Sequence, residues 1–175
     1  MEEVGELKSK YSDPRRTEIS EGEEVEFREE DLIPHQRVAV TLSKRGFIKR
    51  VPSHAYKPQH RGGKGIIGMV TREEDAVRFL VVADTHDNLL FFTSRGKVFR
   101  LKCYEIPADS SRTAKGMAII NLFPLTENEW VTAVVSVTDF KPGTYLLMAT
   151  YRGEIKKTAL DNFASVRSSG LIAMD

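Results

Sequence analysis

Seven consecutive residues, Gln59-His60-Arg61-Gly62-Gly63-Lys64-Gly65, combine the groups that hold a phosphate. Arg61 offers a planar fork that grips two phosphate oxygens at once, and Lys64 adds a compact point charge. Gly62 and Gly63 lack a Cβ, so their backbone N–H groups can approach an anion closely. The Arg-x-x-Lys-Gly spacing returns in Arg112-Thr113-Ala114-Lys115-Gly116, and a shortened form in Arg167-Ser168-Ser169-Gly170. A nucleotide P-loop does not fit, because its G-x-x-x-x-G-K-[ST] spacing is absent. A basic, glycine-hinged loop that recurs suits a long, repeating, negatively charged partner better than it suits an active site.

Something must present these loops at regular intervals, and three segments share the pattern that does so. They are Val38–Arg50, Leu89–Leu101 and Tyr145–Lys157. Each reads as an apolar strand, a tight turn ending in Arg-Gly, and a second strand carrying basic residues. Glycine after the turn supplies positive φ, and the β-branched and aromatic content favours strands over helix. Gly46, Gly96 and Gly153 are spaced by 50 and 57 residues; the loop glycines Gly65, Gly116 and Gly170 are spaced by 51 and 54. A further strand pair is expected after each complete loop. In the first unit it is Ile66–Val70 with Phe79–Ala83; in the second, Met117–Asn121 with Val131–Val135. Four strands per unit of about 50 residues is the mark of a propeller-like blade. The expected architecture is all-β: about ten strands in two complete blades and a partial third.

The units divide the chain at about 32–87, 88–144 and 145–175, behind a leader over 1–31. The leader holds 12 acidic and 5 basic side chains, whereas 32–175 holds 13 acidic and 21 basic. A net charge of +1 therefore hides a basic domain behind an acidic segment, an asymmetry that fits nucleic acid. Residues 1–12 read as the end of a helix stopped by Asp13-Pro14, and 18–31 as a solvated linker. A single cysteine, Cys103, excludes an internal disulfide framework and a cysteine-rich zinc site. No stretch is long and apolar enough to span a bilayer, and the acidic start has no secretory h-region. A cytosolic home is the default.

The box at Gln59–Gly65 resembles the Q-R-R-G-G-K-G signature of the C-terminal domain of the A polypeptide of DNA gyrase (gyrase A), with His60 in place of the first Arg. The leader Lys10–Ile19, the stretch Ala83-Asp84-Thr85-His86-Asp87 and Met148-Ala149-Thr150 are also similar to that family. The resemblance implies a β-pinwheel, a propeller-like disc whose blades exchange strands. It also implies duplex DNA wrapped and bent around a basic rim to direct negative supercoiling in a bacterial, nucleoid-associated enzyme. The implied partners are double-stranded DNA, the rest of gyrase A, and gyrase B. The implied chain carries no catalytic residue, metal or cofactor: the tyrosine, ATP and magnesium act elsewhere in the holoenzyme. The family domain commonly has about six blades, so this chain reads as a fragment. The corresponding polypeptide of topoisomerase IV is the close relative, and the nearly intact box favours gyrase. Mostly neutral at pH 7, His60 weakens one rim charge.

The DNA-binding candidates are the box residues Gln59, His60, Arg61, Gly62, Gly63, Lys64 and Gly65. The turns and second strands add Lys44, Arg45, Lys49, Arg50, Arg95, Lys97, Arg100, Arg152, Lys156 and Lys157. The later loops add Arg112, Lys115 and Arg167. Lys102 recurs with the strand residues, which also read as a solvated face that discourages edge pairing. Thr85-His86-Asp87 reads as a turn between units rather than a metal or hydrolase site, because Thr138–Gly143 occupies the same place in the second unit. His35 and His54 lack ligand-type neighbours in sequence. Cys103 is expected to be a small, partly buried side chain, and Phe123 and Trp130 are expected in the core. The alternative to a DNA-wrapping module is a structural or protein-interaction propeller fragment. Self-association through an open C-terminal edge is also expected.

Overall fold

Glycine at positive φ turns each expected hairpin. Gly46, Gly96 and Gly153 have φ of 85°, 70° and 87°. Each donates its N–H three residues back, to Ser43, Thr93 and Thr150, at 3.0–3.1 Å. The computed structural model describes residues 2–13, 29–56 and 75–174. The box Gln59–Gly65, the expected strand Ile66–Val70 and most of the acidic linker lie outside the described residues.

Strands β1 (Arg37–Ser43) and β2 (Phe47–Pro52) flank the first turn, followed by β3 (Val77–Asp84). Strands β4 (Asn88–Thr93) and β5 (Lys97–Lys102) flank the second, followed by β6 (Met117–Ala118) and β7 (Val131–Val137). Strands β8 (Tyr145–Ala149) and β9 (Ile155–Ala159) flank the third, followed by β10 (Leu171–Ile172). These are ten strands among the described residues, with one α-helix, α1 (Glu2–Tyr11), at the front. The hairpin registers coincide: Val40 faces Arg50, Leu90 faces Arg100, and Leu147 faces Lys157.

Two sheets have four strands, in the orders β3-β1-β2-β6 and β10-β5-β4-β7, while β8 and β9 form a two-stranded sheet. The fourth strand of each larger sheet therefore comes from the next unit. Met117–Asn121, expected as one strand of its own unit, divides. Met117 and Ala118 pair with Ile48 and Phe47 of β2, and Ile119–Asn121 is a 3₁₀ turn. Gly116, at φ 78°, redirects the chain. The Ile119 N–H then bonds the Gly46 carbonyl at 2.8 Å, and the turn drives Ile119 and Phe123 into the core. β10 repeats the exchange on β5, pairing Leu171 with Val98.

The alternation within strands builds two apolar layers. Val38, Val40, Leu42 and Ile48 of the first sheet meet Leu89, Phe91 and Phe99 of the second. Phe123 stacks on Phe99 with centroids 4.6 Å apart. Leu90 and Val98, on the second sheet's other face, meet Leu146, Met148, Leu160 and Phe163. Full burial of one such side chain contributes about 1.5–3 kcal/mol, so these two seams hold neighbouring sheets together. Trp130, expected in the core, is instead 51% exposed. A register shift between Phe92 and Thr93 turns Val131 inward and leaves Trp130 outside.

Candidate nucleic-acid interface

The three hairpin turns present basic tips. Lys44 and Arg45 on the first turn, Arg95 on the second and Arg152 on the third are all exposed. Arg45, Arg95 and Arg152 each immediately precede the positive-φ glycine, so the same fold position repeats one cation across three sheets. Arg95 steadies its turn by donating from Nη2 to the Glu127 carbonyl at 2.9 Å. Lys156, Lys157 and Arg167 are exposed on the third unit. The Lys156 ammonium bonds the Ala173 carbonyl at 2.9 Å, and Lys157 lies 4.0 Å over the Tyr145 ring. Lys97 is half-buried. Lys102 is held by Glu30 at 2.6 Å.

Other candidates point inward. Arg50 donates from Nε to the Ile106 carbonyl at 2.9 Å and from Nη2 to Tyr104 at 3.2 Å. Arg100, at the same register in the second sheet, donates to the Ala164 carbonyl and covers the Phe140 ring. Both arginines fasten one unit to the 3₁₀ turn of the next, Cys103–Glu105 or Leu160–Phe163. Lys49 is fully buried, and its ammonium donates to the carbonyls of Ser111, Arg112 and Ala114. Burial foremost, with the Arg112 charge adding to it and Asp109 opposing, lowers its pKa from the ordinary lysine value.

The second loop thus rests on the first sheet. Arg112 is half-buried with its Nε enclosed and without a partner, while Lys115 is exposed and lies 4.0 Å over the Phe47 ring. The recurrence of basic residues locates the hairpin tips. It misses Arg78, which lines a cleft of about 430 Å³ with Lys44, Arg45 and Trp130. Arg78 has no counterpart at matching spacing in the other units, so no periodic signal marks it. Glu127 and Glu129 also line this cleft, giving it mixed charge.

The histidines form a separate contact. His35 stacks on His86 with centroids 3.8 Å apart, and its Nδ1 lies 2.8 Å from Asp84. His86 Nε2 meets the Ile33 carbonyl at 2.8 Å. This arrangement ties the segment entering β1 to the turn over residues 84–87, which is the turn expected there. Cys103 is fully buried, and burial pushes its thiol up to about 12.

Strand-exchanging sheets with cation-tipped hairpins define a segment of a propeller-like disc. The chain belongs to the family described as DNA gyrase C-terminal domain, beta-propeller, which matches residues 39–84, 87–138 and 144–175. It is 59% identical over 174 residues to the DNA gyrase A polypeptide of Dehalogenimonas lykanthroporepellens, covering 99% of this chain and 21% of that protein. Identity to the gyrase A polypeptide of Halalkalibacterium halodurans is 47%, with the same coverage. The chain thus spans about a fifth of the length of these relatives. A solved DNA gyrase A C-terminal domain superposes with a TM-score of 0.67 at 28% identity, covering 80% of this chain and 44% of that one. The C-terminal domain of DNA topoisomerase IV superposes at 0.63 and 26% identity, covering 79% and 42%.

Proposed function

We propose that this chain binds duplex DNA through its phosphates and bends it along a basic rim, as the wrapping module of a gyrase A polypeptide. The observation that carries the reading is the repetition of Arg45, Arg95 and Arg152 at one exposed position in three successive sheets. A row of like cations at a fixed fold position matches a polyanion and carries no base-reading geometry. Lys44, Lys97, Lys115, Lys156, Lys157, Arg167 and the box loop would extend the row. Bending 20–30 base pairs by 40–90° costs about 1–6 kcal/mol, which only contacts distributed along the arc can offset. The module needs no cofactor of its own. It would act in the bacterial cytoplasm with the remainder of gyrase A and with gyrase B, which supply strand cleavage and ATP hydrolysis.

Titration of duplex DNA at several salt concentrations tests the reading. The log-log slope should steepen by about 0.9 for each phosphate neutralised. Unrelated duplexes should compete almost equally. Arg61→Ala combined with Lys64→Ala should weaken binding and reduce wrapping in a topology assay while leaving the unfolding midpoint nearly unchanged. Binding that ignores salt, or that requires one short sequence, would rule the reading out.

A specific observation favours a second property. Tyr145, Leu147 and Ile155 leave an apolar face of the third sheet exposed. The matching faces of the first two sheets are buried. We infer that a second copy of this chain can cover it.

A further inference from the structure

Lys49 is the least expected cation in the molecule. It occupies a strand position opposite Thr41, is fully buried, and directs its ammonium at the loop of the next unit. The acceptors are the carbonyls of Ser111 at 3.4 Å, Ala114 at 2.7 Å, and Arg112. An ammonium has three N–H donors and no acceptor, so three carbonyls match its capacity. The segment leading into the loop is stitched to the next residue of the same strand. The Arg50 N–H bonds the Pro107 carbonyl at 3.0 Å, and the Asp109 N–H bonds the Arg50 carbonyl at 2.8 Å. Gly116 lies so close that an added Cβ would sit 3.0 Å from the Cβ of Lys49.

This cage has a consequence for the loop's other side. In a planar trans peptide the N–H of one residue points opposite to the carbonyl of the residue before it. Carbonyls 111, 112 and 114 face Lys49, so the N–H groups of Arg112, Thr113 and Lys115 face away from it. Thr113 satisfies its own with the Ser111 hydroxyl at 3.2 Å. The other two are directed away from the cage beside their own cationic side chains. A buried positive charge lies directly beneath them. The equivalent strand position in the second sheet is Phe99, and Gly170 of the third loop packs on its ring. Among the described residues, no ammonium donates to the carbonyls of that loop.

We propose that Lys49 is a positioning residue for the Arg112–Gly116 loop: it gathers the loop carbonyls inward and so turns the loop into a phosphate-binding site. The site is built across two units, so its shape depends on how they are joined. The proposal deepens the DNA-binding reading and rests on it for the choice of polyanion. The phosphate-receiving chemistry of the loop stands separately.

The test is a double-mutant cycle on the full chain with duplex DNA at low salt. Lys49→Met keeps the stem and removes the ammonium. It should weaken binding about tenfold, the value of roughly one charge-assisted contact. In an Arg112→Ala/Lys115→Ala background it should cause little further loss. In an Arg152→Ala background it should cause its full loss. Lys49→Arg, which keeps the charge, should restore part of the affinity. A general loss of structure would give equal losses in both backgrounds, and that result overturns the proposal. Titration with inorganic pyrophosphate, read from the Arg112 and Lys115 amide resonances, separates the two levels. Shifts in the wild type that vanish in Lys49→Met support the positioning role even where duplex DNA fails to bind. Unchanged shifts in Lys49→Met reject it. Should Lys49→Met not fold, Lys49→Arg carries the test: amides that respond to pyrophosphate as in the wild type support the role, and silent amides in a folded Lys49→Arg reject it.

Discussion

Gly116 lies against Ile48 of the neighbouring unit, where an added Cβ would come within 2.9 Å of the Ile48 carbonyl carbon. The obstacle is backbone, which cannot swing aside as a side chain can. Gly116 also has φ of 78°, a conformation that costs a non-glycine residue about 1–2 kcal/mol. Gly116→Ala should therefore destabilise the chain by about 2 kcal/mol or more, with the seam between the first two sheets opening first. Gly143 has φ of 83° but open space around it, so Gly143→Ala should cost only the conformational part. Urea midpoints of the two variants make the comparison; equal losses would remove the role of close approach.

Arg50 and Arg100 should behave as structural residues. Replacing Arg50 by Ala leaves the Ile106 and Tyr104 carbonyls without their shared donor, a loss of about 1.5–3 kcal/mol for bonds to a charged group. Arg152→Ala, on an exposed turn, should change stability by about 0.5 kcal/mol or less yet weaken DNA binding. A stability loss for Arg152→Ala that matches the Arg50→Ala loss would mean that burial does not separate the two sets of cations.

The distinction between those sets explains what is legible in the sequence. The repeat spacing and the Arg-Gly turns identify the hairpins because a tight turn requires glycine locally at Gly46, Gly96 and Gly153. Strand exchange leaves no such local mark. Met117 and Leu171 pair with the preceding unit for reasons set by Gly116 and Gly170, whose neighbours lie more than 60 residues away in the chain. Lys49, Arg50 and Arg100 look like rim cations because a charge on a strand gives no hint of which carbonyls it will meet. Trp130 departs from its expected place because a bulge changes the side on which a residue emerges, and a bulge has no composition of its own here.

Asp84 supplies a pH dependence. Its carboxylate accepts the His86 N–H at 3.0 Å, which foremost holds its pKa below the usual value, with partial burial opposing and His35 assisting. The ionised form is favoured in the folded state. Its contribution is therefore present above the unfolded aspartate value of about 3.9 and is lost as pH falls through the lower folded value. Asp84→Asn should flatten the acid side of the stability curve below about pH 4. Urea midpoints across the acid range decide it, and an unchanged slope would assign acid sensitivity to other carboxylates.

Cys103 should resist thiol reagents in the folded chain. It is fully buried, and its pKa is pushed up to about 12, so almost no thiolate exists near neutral pH. Labelling should follow unfolding, becoming rapid in urea. Fast modification in buffer would show that the seam around Cys103 opens readily.

The third sheet supplies the last prediction. Leu147 and Ile155 are each 69% exposed, whereas Leu90 and Val98 at the same register in the second sheet are completely buried. The first sheet's outward face is closed at its centre, where Ala39, Thr41 and Lys49 are buried, and open only along β3. Leu80 and Val82 are 50% and 43% exposed, in the positions that Val134 and Ser136 hold in the second sheet. The third sheet's open apolar face can be covered by the same face of a second copy. Such a contact uses the same patch on both copies and closes as a two-fold dimer. Sedimentation should show mass rising with concentration from monomer to dimer. Leu147→Lys with Ile155→Lys should return the chain to a monomer, since charge on a buried junction is strongly unfavourable. The same substitutions should leave the first two sheets folded, because neither residue touches them in the apolar layers described. A wild-type chain that stays monomeric at high concentration, or a double variant that associates equally well, would show that this face has no affinity for its own kind.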